Sequence, residues 1–236
     1  MENKPVSTAL DPGSAPYTAA LSRRYGLATN YYAVAHPSLP NYLALTSGET
    51  FGISDDAYHT LPAGGLGAQL TRAGITWRAY YEGMTQGCFG SGIRYAVKHN
   101  PFAYYGGACP ENVVSLDPLA GDLRQGTPRF LFINPDLCHD THDCPVSTGD
   151  DWLRQWVQAI VASPAWLAGG TLFVTWDEGT DADNRVATLV IAPETAGRTS
   201  ALRYDHYSLL ATIEDLLGLP RLGNASGARP MSDLLP

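Results

Sequence analysis

His36-Pro37-Ser38-Leu39-Pro40-Asn41-Tyr42-Leu43-Ala44-Leu45-Thr46-Ser47-Gly48 is the stretch on which the reading of the chain turns. The apolar run Tyr31 to Ala35 ahead of it predicts a buried strand, and Ser38 falls where a helix N-cap belongs. Pro40 suits a first helical turn, where its missing N–H would have had no partner. A hydroxyl at such a strand-to-helix turn faces unpaired backbone N–H groups and the positive end of the helix dipole. Both favour a bound phosphate or a serine alkoxide. On its residues alone, Ser38 is either a helix cap or a nucleophile.

Around this stretch, 236 residues with 44% hydrophobic content allow one α/β domain with a sizeable core. No run approaches the roughly 18 apolar residues of a membrane span. A net charge of −8 argues against nucleic-acid binding and against docking on anionic membranes. Cys88 with Cys109, and Cys138 with Cys144, have separations that suit two disulfides in an exported protein and match no zinc knuckle.

Taken in order, Ala15 to Tyr25 predicts a short amphipathic helix ended by Gly26. Phe51 to Pro62 is turn-rich, with Asp55 and Asp56 expected in solvent. A helix over Ala63 to Ala73 and a strand over Ile75 to Glu82 follow. Residues 83–128 read as an irregular insertion, within which Lys98-His99-Asn100-Pro101 places a cation and an imidazole beside a turn, suited to a phosphate or a leaving group. Phe130 to Ile133 predicts a strand that runs into Asn134-Pro135-Asp136-Leu137-Cys138-His139-Asp140-Thr141-His142-Asp143-Cys144. Five ionisable groups in eight residues there have the donor density of a divalent-metal site.

Asp150 to Val161 predicts an amphipathic helix, and Thr171 to Trp176 a buried strand that ends in Asp177-Glu178-Gly179. Ligands of open α/β sheets gather beyond the carboxyl ends of strands, which places these two acids for chemistry. Val186 to Ala192 is a further strand. His206 precedes a helix carrying Leu209, Leu210, Ile213, Leu216 and Leu217 and ended by Gly218; by itself it reads as readily as a cap as a ligand.

Ser38-Leu39-Pro40-Asn41-Tyr42 with the Thr46-Ser47-Gly48 turn resembles the nucleophile segment of the alkaline phosphatase superfamily. Over nearly its whole length the chain is similar to the bacterial phosphoesterase family of secreted acid phosphatases, phosphatidylinositol phosphate phosphatases and phosphocholine-type phospholipases C, nearest the small acid phosphatase branch. The resemblance implies an α/β three-layer sandwich with a mostly parallel central sheet, formed by residues 1–236 as one domain with a loop-rich insertion at 83–128. In that family a Glu-Asn pair directly follows the first strand. Glu2-Asn3 therefore implies that this strand is missing or truncated here, and no signal peptide is present in this chain.

The resemblance further implies that Ser38 is the nucleophile and that the Asn41 amide donates to a phosphoryl oxygen, with Lys98 and His99 on the substrate. Glu2, Asn3, Asp140, His142, Asp177, Glu178 and His206 would hold one or two divalent ions, with zinc, magnesium, manganese, iron and calcium all open. Asp136 stands where many relatives carry Asn, and Asp143 is next in line as a ligand. The implied activity is hydrolysis of a small-molecule or lipid-headgroup phosphomonoester through a phosphoserine, in a secreted or periplasmic protein. A phosphodiesterase of phospholipase C type and a non-catalytic secreted binding protein are the competing readings.

Overall fold

Apolar runs delimited by turn residues become strands, and the amphipathic segments between them become the helices that cover the sheet. The computed structural model describes residues 1–90, 92 and 94–236. Its strands are β1 (Gly26–Ala28), β2 (Tyr31–Tyr32), β3 (Trp77–Tyr81), β4 (Val113–Ser115), β5 (Phe130–Asn134), β6 (Leu172–Thr175), β7 (Thr188–Ile191), β8 (Thr199–Ser200) and β9 (Tyr204–Asp205). Its helices are α1 (Val6–Ala9), α2 (Pro16–Arg24), α3 (Ser38–Ser47), α4 (Gly65–Arg72), α5 (Leu119–Gln125), α6 (Val146–Val161), α7 (Pro164–Leu167) and α8 (His206–Leu217).

β4, β3 and β5 pair in that order and run parallel. β6, β7, β1 and β8 form a second set, antiparallel except for the β1–β8 pair, and β2 pairs in parallel with β9. One apolar cluster gathers Tyr31, Tyr80, Trp152, Val174, Trp176 and Leu189. The other gathers Leu39, Leu43, Leu70, Trp77, Phe102 and Leu210, and so fixes helix α3 against α8.

Among the described residues β5 pairs only with β3, and β6 only with β7. Residues of both strands line an apolar cavity of about 790 Å³. Phe130 N–H and Asn134 C=O bond toward β3, so by the two-residue period the Leu131 and Ile133 peptide groups turn to the cavity. Met1 sits at the end of this slot: its nitrogen is 3.3 Å from Thr175 O and its carbonyl accepts from Asp177 N at 2.9 Å. This is the bonding of one residue of a parallel ladder beside β6.

Three expectations change in detail. The strand expected over Tyr31 to Ala35 stops at Tyr32, because the amides of Val34 and Ala35 donate to the Asn41 side chain. Ser38 is the first residue of α3 rather than its cap: Pro37 takes the cap position with extended backbone (φ −78°, ψ −157°), and the Ser38 hydroxyl turns away from the helix amides. Residues 83–128 contribute β4 and α5 to the fold, besides the Cys88–Cys109 bridge. The second expected bridge, Cys138–Cys144, closes the acid-rich loop after β5.

Candidate active site

The first turn of α3 carries Ser38 into a ring of carboxylates. Its hydroxyl lies 3.1 Å from Glu2 Oε2, 3.2 Å from Glu178 Oε1 and 3.5 Å from Asn3 Oδ1. One turn further along the same helix face, the Tyr42 hydroxyl donates to Glu2 Oε1 and stands 3.3 Å from Asn134 Oδ1. Asp177 and Glu178 arrive at the end of β6. Asp140 arrives on the loop beyond β5, which also pins the terminal segment: Glu2 N–H donates to Asp140 O at 2.7 Å and Thr141 Oγ1 to Glu2 O at 2.8 Å. The Asn3 amide donates to Asp177 Oδ1 at 3.1 Å.

Glu2, Asp140, Asp177 and His99 are all buried. Burial, and then the charges of Glu2 and Glu178, push the Asp177 carboxyl well above its ordinary range; burial also raises Asp140 and Glu178. Burial works in the same direction on Glu2, but the neighbouring His99 reverses it and holds that carboxyl down. For His99, burial opposes the charge, yet Glu2 and Asp140 bring its pKa up to about 9. His99 Nε2 is 3.2 Å from Glu2 Oε2, and Nδ1 is 3.4 Å from Asp140 Oδ2. Neither approach has hydrogen-bond geometry, and His99 Nε2, Asp140 Oδ2 and Asp177 Oδ2 are buried without a partner. Glu2, His99 and Asp140 offer ligand atoms all within 4.8 Å of one another. Excess buried negative charge, unpaired oxygens and an unpaired imidazole nitrogen fit a divalent cation.

The structure thus brings Ser38, Glu2, Asn3, Asp140, Asp177, Glu178 and His99 together, and His99, expected on the substrate, lies between Glu2 and Asp140. Other expected residues stand elsewhere. Asn41 is occupied by the backbone: its Oδ1 accepts from Val34 and Ala35, and its Nδ2 donates to Ala35 O at 2.8 Å and Pro37 O at 3.2 Å, which leaves no donor for a phosphoryl oxygen. His206 is buried with both nitrogens engaged, Nδ1 with Tyr31 OH at 3.0 Å and Nε2 with Asp177 O at 2.5 Å, which ties it to the Asp177 backbone. Burial lowers its pKa to about 4, which keeps it neutral.

His142 bonds Asp143 through Nδ1 at 2.6 Å, and its ring lies 6.1 Å from that of His99, at the rim. Lys98 pairs with Asp56 at 2.7 Å. Asp136 and His139 form a separate group with Glu82, in which Asp136 Oδ1 caps the turn by accepting from Cys138 and His139 amides. Two contributors carried no expectation. Tyr42 was accessible from its place four residues after Ser38. His36 pairs through Nδ1 with Glu178 Oε2, and only its nearness to Ser38 in sequence pointed to it.

A buried serine among acids at the carboxyl ends of strands is the arrangement of a phosphoester-cleaving site. Residues 3–220 match the Phosphoesterase family, and the chain belongs to it. It is 30% identical over 244 residues to a phosphatidylinositol-3-phosphatase of Mycobacterium tuberculosis, covering 99% of this chain and 80% of that one. It is 29% identical to an acid phosphatase of Aspergillus fumigatus over 84% of this chain, and spans about half of that longer protein, 49%. By family and relatives the chain is a phosphatase. A protein of the alkaline phosphatase superfamily from Vibrio parahaemolyticus superposes over 99% of this chain and 70% of its own with a TM-score of 0.66 at 13% identity, which establishes a shared fold.

Proposed function

We propose that the chain hydrolyses phosphomonoesters through a phosphoserine at Ser38, as an acid-phosphatase-like enzyme with a divalent metal. The observation that carries this reading is the Ser38 hydroxyl within 3.5 Å of Glu2, Asn3 and Glu178 oxygens, beside buried carboxylate oxygens that have no partner. Ser38 Oγ attacks phosphorus while its proton passes to one of the carboxylates it already faces, Glu2 or Glu178. The bond from phosphorus to the leaving oxygen breaks, and the alcohol departs with a proton from solvent. Water then attacks the phosphoserine, which releases inorganic phosphate and restores the hydroxyl. Glu2, Asn3, Asp140, Asp177, Glu178 and His99 would hold the cation, which when bound lowers the hydroxyl pKa and neutralises the phosphate.

Lys98, on the turn before His99, supplies the positive charge that a monoester's additional anionic oxygen needs. The substrate class is a small phosphomonoester, free or on a lipid headgroup; the name of the mycobacterial relative supports the latter. Both disulfides suit an oxidising, exported setting, and no helix of the described residues is long and apolar enough to cross a membrane. Initial rates on p-nitrophenyl phosphate and bis(p-nitrophenyl) phosphate, with magnesium, manganese, zinc, iron or calcium supplied in turn, test the reading. Faster turnover of the monoester supports it, and a diester preference reverses it in favour of a phosphodiesterase.

A further inference from the structure

Asp56, read from sequence as a solvated loop acid, is instead set between two parts of the candidate site. Its Oδ1 accepts from the amide of Leu39, the residue after Ser38, at 3.0 Å, and its Oδ2 lies 2.7 Å from Lys98 Nζ. The side chains of the ion pair are mostly covered, 22% exposed for Lys98 and 30% for Asp56. Lys98 directly precedes His99, whose Nε2 is 3.2 Å from Glu2 Oε2, so the ion pair is carried on the segment that enters the acid pocket. Pro40 has no N–H, which makes the Leu39 amide one of few donors at the start of α3. Asp56 therefore ties that helix start to Lys98.

We infer that Asp56 is a positioning residue for phosphate capture: it fixes the Lys98 ammonium beside His99 and the first turn of α3, and acts on substrate only through these two groups. The inference rests on the phosphomonoesterase reading. Asp56→Asn keeps an oxygen for the Leu39 amide but removes the charge that fixes Lys98. The interaction lost is a charge-assisted one, whose usual worth corresponds to about a tenfold effect. Loss of ground-state binding appears in KM rather than kcat.

The test is a double-mutant cycle of Asp56→Asn and Lys98→Met on p-nitrophenyl phosphate, with inorganic phosphate binding to the same proteins followed by calorimetry. Each single variant is expected to raise KM about tenfold with kcat changed less than about threefold, and to weaken phosphate binding in proportion. The double variant is expected to be no worse than Lys98→Met. Additive effects, or an unchanged KM and phosphate affinity in Asp56→Asn, would overturn the inference while leaving an active wild type. A wild type inactive on the monoester sinks the underlying reading and the inference with it. Lys98→Met leaves the Leu39 contact intact, so it tests the lysine's part even if Asp56→Asn disturbs the helix start.

Discussion

Ser38 Oγ lies 3.1 Å from Glu2 Oε2 although 36 residues separate them along the chain. The contact exists because Glu2 is fixed on both sides, by its backbone to the Asp140 loop and by its side chain to Tyr42. It gathers acids whose mutual repulsion and desolvation a bound divalent cation would relieve. Adding a divalent ion at a hundredfold excess over its Kd should stabilise the protein by about 2.7 kcal/mol, read as a rise in Tm. Asp177→Asn should raise the Tm of the metal-free protein, because burial and two neighbouring carboxylates already disfavour its charge, and should blunt the response to metal. A Tm indifferent to every divalent ion tried would remove the metal from the account.

Asn41 holds the turn that presents Ser38. Asn41→Ala leaves the Val34 and Ala35 amides and the carbonyls of Ala35 and Pro37 without that partner, which should cost about 2–4 kcal/mol in urea unfolding. Activity should fall along with stability. A variant of native stability with only kcat reduced would instead favour direct contact between Asn41 and the phosphoryl group.

Much of this was accessible to sequence reading, for physical reasons that differ by element. β5, β6 and α6 carry long apolar or amphipathic patterns, so their existence and approximate bounds followed from periodicity. Ser38, Asp177 and Glu178 stood out as polar residues where an apolar run meets a turn, but their roles came from the family resemblance, since the same residues read equally well as caps. The partners of Asn41 and His206 were not legible because residue type fixes only the capacity to donate or ligate, and not which backbone groups, here those of Ala35 and Asp177, engage them. His99 was read as a substrate contact beside a turn; its approach to Glu2 and Asp140, from distant parts of the chain, had no local signal. Asp56 looked solvated since nothing near it in sequence reveals Leu39 N–H or Lys98.

Glu214 gives a pH signature away from the site. It is buried in α8, with Oε1 accepting from the Leu222 amide at 2.9 Å; its Oε2 and the Oε1 of neighbouring Gln69 have no partner. Burial pushes its pKa up to about 7, against the opposing effects of the Leu222 amide, Gln69 and Arg221, with Asp215 adding to the rise. A carboxyl whose folded pKa is raised contributes stability that is fully present below its unfolded value, about 4.3, and is lost as pH rises through about 7. Tm should therefore fall across that window. Glu214→Gln should flatten this part of the profile and melt higher than wild type at pH 8. An identical profile in the variant would assign the pH dependence to other groups.

The hydroxyl of Ser38 is the centre of the account, and Ser38→Ala tests it most directly. The hydrolysis rate of p-nitrophenyl phosphate, measured with divalent metal on wild type and variant of matched Tm, should fall by about a thousandfold or more when the oxygen is removed. Turnover near that of wild type in a folded Ser38→Ala protein would contradict the phosphoserine route.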